Sequence, residues 1–201
     1  MAMVPTKGNL MLAQNTLALS KTGFELLDKK RNILIREMMQ LIDSAKQIQK
    51  NIDSTFKDAY SALQTANLEM GIDTVENMSL SVDIEDSLKV KFRSVMGVEI
   101  PIVIMDEKKR VPTYGFLDSS SALDEAIVKF EEVKKLVKLL SEVENSVFRL
   151  ADNIKKTQKR ANALKNILIP RHEAEIKMIT DALEEKEREE FSRLKVIKNL
   201  K

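Results

Sequence analysis

The only histidine of the chain, His172, is the residue with the widest chemical range, and its surroundings restrict that range. A zinc-type site needs several His or Cys ligands, whereas this chain has no Cys and places only Glu173 and Glu175 beside His172. A Ser–His–Asp arrangement would have to use the same histidine, which falls on the apolar face of a predicted helix. We therefore expect packing or an interhelical hydrogen bond at His172, and we predict no catalytic residue and no metal site.

Sequence motifs for nucleotide and metal chemistry are also missing. The chain contains no GxxxxGK[ST] phosphate loop, no GxGxxG, no HExxH and no EF-hand loop. The acidic run LEEKEREE at 183–190 places Lys and Arg three or four residues from Glu, which is the spacing of solvated ion pairs along a helix. These observations predict a protein without a cofactor, and they make an enzyme the least favoured class.

Two basic clusters are the remaining candidates for a binding surface. The first comprises Lys29, Lys30 and Arg31, and the second comprises Lys155, Lys156, Lys159 and Arg160. Each cluster fits either a solvated helix face or a contact surface for acidic groups of a surrounding protein. The 33 basic residues nearly cancel 31 acidic ones, and this balance argues against a dedicated nucleic-acid-binding protein.

The composition favours long helices with much exposed surface. Charged residues make up 32% of the chain, which has only 5 Gly, 4 Pro and no Trp. No apolar run approaches the roughly 18–20 residues that span a bilayer, and the N-terminus lacks the apolar core of a signal peptide. We expect a soluble, cytoplasmic protein without direct membrane insertion, which reaches a membrane only through its partners.

A continuous apolar seam, meaning a row of residues at alternating spacings of three and four, runs along the first third of the chain. Such a period near 3.5 predicts a helix that supercoils along a partner helix, with one stutter near Ile52. The seam residues are Leu10, Ala13, Leu17, Phe24, Leu27, Leu34, Met38, Leu41, Ala45, Ile48, Ile52, Phe56, Ala59, Leu63, Ala66 and Met70.

A second seam follows residue 121 and predicts the partner helix. Its members are Val143, Val147, Leu150, Ile154, Thr157, Ala161, Leu164, Leu168, His172, Ile176, Ile179, Leu183, Leu194 and Ile197. Steps of four on both sides of His172 indicate another stutter. Pro170 lies beside it and cannot donate a hydrogen bond to the Asn166 carbonyl. We interpret Pro170 as a kink within one helix, and the alternative is that it separates two helices.

The middle of the chain changes to a period of two, which predicts short strands. Alternating residues occur at 80–84 and 88–92, the segment GVEIPIVIM is β-branched, and DEKKR at 106–110 suits a hairpin turn. Pro101 favours an edge strand or a bulge. The predicted fold is mainly α: a long antiparallel two-helix coiled-coil hairpin with a small strand-containing middle segment. The predicted divisions are residues 1–72 for the first long helix, 73–121 for the middle and 122–201 for the second long helix, kinked near Pro170.

Both predicted helices resemble the D subunit of the rotary V-type and A-type ATPases. The similar segments are PTKGNLMLAQNTLALSKTGFELLDKKRNIL at 5–34 and KTQKRANALKNILIPRHEAEIKMITDALEEKEREEFSRLKVIK at 156–198, and VMGVEIP at 95–101 is similar more weakly. The C-terminal segment is the specific part, with Asn162-Ala163-Leu164, Ile169-Pro170 and Arg193-Leu194-Lys195 at the family spacing. Asn32 and Gln158-Lys159 depart from the family pattern.

The resemblance implies a non-catalytic rotor shaft. Members of the family stand inside a ring of alternating A and B subunits that hydrolyses or makes ATP, and they turn with a membrane ring that carries protons or sodium ions. A small F subunit clasps the stalk, and the C subunit, called d in some systems, joins its foot to the membrane ring. The interface residues expected from the clusters and the family segments are Lys29, Lys30, Arg31, Lys159, Arg160, Asn162, Leu164, Ile169, Pro170, Arg188 and Arg193.

A free-standing coiled-coil adaptor or scaffold is the alternative interpretation. It would share the seams, but it would not need the matched C-terminal segment, and it would be expected to dimerise with itself. A helical nucleic-acid-binding protein would use the basic clusters and would show a steep salt dependence of binding.

Overall fold

The computed structural model describes residues 4–82, 87–105, 114–115 and 119–199 of the chain. Its elements are helix α1 (Lys7–Met70), helix α2 (Ile72–Ser79), strand β1 (Leu88–Val95), strand β2 (Val98–Met105), helix α3 (Ser121–Ala163), a π-helical turn (Leu164–Leu168) and helix α4 (Ile169–Asn199). The predicted mainly helical fold, with a small sheet between two long helical segments, is confirmed. The chain forms two compact units, unit 1 from Met1–Ile33 and Ile154–Lys201, and unit 2 from Leu34–Asn153.

In unit 1 the two helical segments run antiparallel. Lys7 Nζ lies 3.2 Å from Glu187 Oε1, and Lys21 Nζ lies 2.8 Å from Glu173 Oε1. Residues later in α1 therefore pair with residues earlier in α4. Both pairs are largely exposed, and exposed ion pairs add little stability. The buried seam side chains therefore provide most of the stabilisation, with Ile179 fully buried.

Unit 2 repeats the antiparallel arrangement with a different core. The rings of Tyr60 and Phe130 meet edge to face, with centroids 5.7 Å apart. Further along, Ala66, Val75 and Leu123 form a buried cluster that includes residues from α1, α2 and α3. Gly71, with a φ of 85°, ends α1 and allows α2 to turn back, because this left-handed backbone favours glycine. The cluster thus anchors the end of α1 to the start of α3.

The seam predicted for α1 is confirmed, because every seam residue from Leu10 to Met70 is buried or half-buried. The second seam is confirmed from Val143 to Leu164 but is wrong at Leu168, which is 36% exposed. Ile169 is half-buried in its place, so the seam takes one step of five residues from Leu164. At the other end of α4, the predicted seam residues Leu194 and Ile197 are 65% and 57% exposed.

The five-residue step coincides with the π-turn that precedes Pro170. The Ile169 N–H donates to the Leu164 carbonyl, five residues back, instead of the usual four. A regular α-helix would set the proline ring against the Asn166 carbonyl, and the wider π-turn relieves that clash. The helical backbone continues through Pro170 to Asn199, which favours one helix over two. The kink and the three predicted divisions of the chain remain predictions.

The sheet is a two-stranded antiparallel hairpin joined by Met96 and Gly97. Both residues have positive φ, 51° and 76°, as the two-residue turns that suit twisted hairpins require. The strand predictions at 88–92 and in GVEIPIVIM at 97–105 are confirmed, with the second strand beginning at Val98. The prediction at Leu80 and Val82 is wrong: both residues follow α2 in a turn or bend and are more than half exposed. Ile84 and the predicted turn at 106–110 lie outside the described residues.

Candidate interaction surfaces

Arg31, one of the predicted interface residues, already has partners within unit 1. Its Nη1 donates to Gln158 Oε1 at 2.6 Å, and its Nη2 lies 2.7 Å from Asp28 Oδ1. The same nitrogen donates to Asn32 Oδ1 at 3.1 Å. The guanidinium therefore connects α1 to α3, and its charge is neutralised locally by Asp28.

Gln158 extends this polar network towards Asn162. While its Oε1 accepts from Arg31, its Nε2 donates to Asn162 Oδ1 at 2.8 Å. An arginine at position 158 would place a second positive charge beside Arg31, whereas the neutral amide accepts on one side and donates on the other. The sequence indicated Gln158 only as a departure from the family pattern. Its role in joining the helices could not be found without the antiparallel register.

Five exposed basic residues of unit 1 form what we call the basic band, and four of them lie in a stretch of the second helical segment without acidic residues. They are Lys29, Lys155, Lys159, Arg160 and Lys165. Of these, Lys29, Lys159 and Arg160 are exposed and form no ion pair with any residue that the structure describes. No acidic residue occurs in the sequence between Asp152 and Glu173. The band is thus suited to acidic groups on a partner.

Four further predicted residues, Lys30, Leu164, Ile169 and Pro170, differ in their surroundings, and Lys30 is half-buried. Leu164 packs near Gly23, where a Cβ added to the glycine would lie 3.8 Å from Leu164 Cδ1. Ile169 is half-buried, while Pro170 and Lys165 are exposed, and the Lys165 ammonium lies 5.7 Å from the Phe24 ring centroid. The π-turn thus carries Lys165 of the basic band and directly precedes the half-buried Ile169 and the exposed Pro170.

Arg188 and Arg193 lie further along α4 and pair within that helix. Arg188 Nη2 lies 3.5 Å from Glu184 Oε2, and Arg193 Nη2 lies 3.6 Å from Glu189 Oε2. These pairs confirm the predicted four-residue ion pairing of the acidic run. Neither arginine is brought near the basic band by any contact between described residues.

His172 has a partner on its own helix. Its Nδ1 lies 3.0 Å from Glu175 Oε2, and its side chain is only 20% exposed. Of the two expectations for His172, packing therefore fits the structure and the interhelical hydrogen bond does not. Glu173 makes the interhelical contact instead, by pairing with Lys21. The Arg171 guanidinium, with Nε 3.1 Å from Glu175 Oε1, and then His172 hold the pKa of Glu175 below its usual range. Among the described residues, no three His, Cys, Asp or Glu side chains group as metal ligands.

Sequence reasoning missed an exposed apolar stripe on α1. Leu12, Leu19, Leu26 and Ile33 are 58%, 75%, 61% and 38% exposed. They follow one another at intervals of seven residues, so they share one face of a supercoiled helix. A heptad search beyond the buried seam could have found them. This row of large apolar side chains, uncovered within unit 1, is a second candidate contact surface.

None of the described helices is long and apolar enough to cross a membrane. The family of ATP synthase D subunits matches residues 9–199. The V-type ATP synthase D subunit of Thermotoga neapolitana is 42% identical over 198 residues, spanning 98% of this chain and 98% of the relative. The A-type ATP synthase D subunit of Pyrococcus furiosus is 38% identical over 199 residues, spanning 98% of this chain and 93% of the relative. The A-type D subunit of Methanobrevibacter smithii is 40% identical over 198 residues, with 97% and 86% covered.

Proposed function

Because this chain belongs to the family of ATP synthase D subunits, we propose that it is the central rotor shaft of a V/A-type rotary ATPase or ATP synthase. In this role it is non-catalytic. It couples ATP hydrolysis or synthesis in a ring of A and B subunits to the transport of protons or sodium ions through the membrane ring.

The observation that carries this proposal is the match of residues 9–199 to the family of ATP synthase D subunits, in a chain built mainly from long helices. A shaft needs length and stiffness. Helix α1 alone has 64 residues, which corresponds to about 95 Å at 1.5 Å per residue. Its seam residues are buried or half-buried from Leu10 to Met70, so separating the paired helices would expose apolar surface.

We propose that unit 1 faces the ring of A and B subunits. It carries the two surfaces that its own folding leaves uncovered, the basic band and the exposed apolar stripe. Apolar contacts bind with little directional preference, whereas the basic band distinguishes ring positions by the acidic groups that they present. The interface role of Lys29, Lys30, Lys159, Arg160 and Asn162 belongs to this proposal.

Coupling in this scheme is a difference in contact energy. A rotor with unlike sides biases otherwise equivalent ring sites towards different conformations, and each 1.4 kcal/mol of difference shifts a population about tenfold. The irregular helix around Pro170 contributes to this asymmetry if it bends the axis there. In a reconstituted complex, Pro170→Ala is then expected to retain ATP hydrolysis but to lower the number of ions transported per ATP.

The other partners follow from the same role. We propose that the stalk F subunit and the C subunit at the foot, also called d, bind unit 2, and that the assembly lies on the cytoplasmic side of the membrane as a peripheral part of the complex. Unit 2 contains the β-hairpin, whose β1 strand is exposed along almost all of its length. The shaft itself requires neither membrane insertion nor nucleic acid.

Co-purification tests the proposed function. The chain is tagged in its native host, the membranes are solubilised gently, and the bound proteins are identified by mass spectrometry. Two large proteins in equal amounts, one carrying a phosphate-loop sequence, together with a small stalk protein, are expected. Recovery of the chain with only itself would contradict the shaft and favour a coiled-coil adaptor.

A further inference from the structure

The two outer edges of the β-hairpin differ in their hydrogen bonding within unit 2. The Val103 N–H on β2 donates to Glu142 Oε2 at 3.0 Å, and Arg149 Nη1 donates to the Glu99 carbonyl at 3.3 Å. Glu142 and Arg149 are seven residues apart on α3, so they lie on the same side of that helix. One face of α3 therefore bonds two backbone groups on the outer edge of β2.

The register of the two strands shows which backbone groups of β1 point away from β2. Alternate residues of a strand direct their backbone N–H and C=O groups to the same edge. Because the Val103 N–H points away from β1, the backbone groups of Pro101 and Glu99 also point away from it. Pro101 thus removes no hydrogen bond from the hairpin. Across the sheet, Val103 pairs with Val90, and Pro101 pairs with Phe92. The N–H and C=O groups of Val90 and Phe92 therefore point outward from β1.

This outer edge of β1 is open in the part of the chain that the structure describes. Residues 88–94 are all exposed, and no described residue bonds to the outward groups of Val90 or Phe92. An open edge with free N–H and C=O groups is a template for pairing with another strand. Among the described residues, the hairpin thus has one edge that α3 bonds at two backbone groups and one edge available for pairing.

The side chains of β1 indicate what kind of strand would fit. Leu88, Val90 and Phe92 share one face and are 52%, 56% and 55% exposed. The basic side chains of Lys89, Lys91 and Arg93 alternate with them on the other face. Arg149 lies over the Phe92 ring at 5.2 Å from its centroid and helps to fix the ring. A complementary strand alternates apolar residues with acidic ones.

A second copy of the same edge fits poorly. Pairing β1 with β1 would bring Lys and Arg side chains opposite one another, and like charges directly opposite across strands are destabilising. Basic residues on an edge strand also disfavour indiscriminate pairing. Charge complementarity therefore selects an acidic partner over self-association.

We propose that β1 accepts an extended segment of another protein of the same ATP synthase as a third strand of the sheet. Apolar side chains of that segment cover Leu88, Val90 and Phe92, while its acidic side chains face Lys91 and Arg93. Main-chain hydrogen bonds provide the affinity, and the alternating side chains provide the selectivity. The identity of the partner rests on the proposed function, whereas the geometry of the edge does not.

Amide hydrogen exchange with residue resolution tests the strand addition directly. The full-length chain is measured alone and in the purified complex. Alone, the inward amides of Lys91 and Arg93 are expected to be protected and the outward amides of Val90 and Phe92 to exchange rapidly. In the complex, the outward amides should slow at least tenfold. Outward amides that exchange equally fast in both samples would overturn the proposal, as would outward amides already as slow as the inward ones in the isolated chain.

Two substitutions at one position separate backbone pairing from side-chain contact. Val90→Pro removes the outward N–H, and Pro101 shows that this hairpin accepts proline at an outward-facing position. Val90→Thr keeps the N–H and a β-branched side chain. Binding to the remainder of the complex, purified without this chain, is expected to weaken at least tenfold for Val90→Pro and less than threefold for Val90→Thr. Equal binding by the two variants, with Lys91 and Arg93 amides still protected in both, would contradict strand addition.

Charge reversal tests the chemistry of the partner. Lys91→Glu is expected to weaken the same binding at least tenfold, whereas Lys50→Glu, at an exposed site on α1 within unit 2, should leave it unchanged. Equal effects of the two changes would refute an acidic partner strand. Assembly with unchanged outward-amide exchange would overturn strand addition and leave the shaft function standing. Failure of the unmodified chain to join the complex would overturn the proposed function and with it the partner named here.

Discussion

Replacing Pro170 by alanine is the most informative single change to unit 1. Pro170 lacks an N–H, and the π-turn before it directs the Ile169 N–H to the Leu164 carbonyl. Alanine restores a donor at position 170 and removes the ring that would crowd the Asn166 carbonyl in a regular helix. The change therefore tests whether the π-turn is an accommodation to proline.

The expected gain in stability is smaller than for proline in a regular helix. Proline in a helix interior costs about 3 kcal/mol relative to alanine. The π-turn already relieves the ring clash, so part of that cost is absent. We expect Pro170→Ala to raise the free energy of unfolding by about 1–2 kcal/mol. For a chain of 201 residues, this corresponds to a rise in Tm of roughly 2–8 °C.

Denaturant and thermal unfolding of the isolated chain, followed by circular dichroism, measure this gain. Ile167→Ala provides the control, because Ile167 lies in the π-turn but is 63% exposed. It should change the free energy of unfolding by no more than about 0.5 kcal/mol. A loss of more than about 1 kcal/mol for Pro170→Ala would refute the reasoning, since the π-turn would then depend on proline rather than accommodate it.

Three further substitutions test the packing and electrostatics of unit 1. Gly23→Ala should stabilise the chain by about 1 kcal/mol in a urea titration, because it improves helix propensity and its Cβ meets only an ordinary contact at 3.8 Å. Ile179→Ala should destabilise it by about 2–5 kcal/mol in the same assay, because Ile179 is fully buried. Arg171 and His172 lower the pKa of Glu175. The charged carboxylate therefore stabilises the folded chain at a pH above the pKa of Glu175 in the unfolded chain, and this stabilisation is lost as the pH falls through its pKa in the folded chain. The stability difference between the unmodified chain and Glu175→Gln should therefore shrink as the pH falls below about 5.

Each of these expectations has a result that would contradict it. A destabilised Gly23→Ala variant would mean that Gly23 and Leu164 approach more closely than the structure shows. Met178→Ala is the control for Ile179, because Met178 is 51% exposed, and equal losses for the two would contradict the assigned helix face. A difference at Glu175 that grows as the pH falls below about 5 would show that its carboxylate is not stabilised by its neighbours.

The long helices could be predicted because their period repeats many times. From Leu10 to Met70 each apolar position of the α1 seam reinforces the same helix face, so no single residue decides the outcome. The error at Leu168 has a local cause. Spacing rules assume 3.6 residues per turn, and the π-turn inserts an extra residue that moves the buried position to Ile169. The proline was visible in the sequence, but this way of accommodating it was not.

Short elements were harder to predict, because tertiary contacts decide them. Leu80 and Val82 alternate like a strand, but they follow α2, which forms because Val75 is buried against Ala66 and Leu123. The turn at Met96-Gly97 was missed because the sequence offered a more polar candidate at 106–110. Local pattern therefore predicts a short strand only when its pairing partner is known.

The candidate surfaces were predicted in part. The basic clusters were evident from the sequence. Which of their members is bonded, like Arg31, and which is exposed, like Lys29, depends on the residues of the opposing helix that face each position. That register follows from the fold rather than from either helix alone. The open edge of β1 was likewise hidden, because it depends on which edge α3 covers through Glu142 and Arg149.

Direct observation of rotation tests the central claim most simply. The chain has no cysteine, so Lys57→Cys, at an exposed position on α1, gives a unique attachment point for a bead or gold particle. With the ring of A and B subunits fixed to a surface, the shaft role predicts that the particle turns continuously in one direction when ATP is added and stops when ATP is removed. A particle that stays in place while the same immobilised complexes hydrolyse ATP would contradict the account.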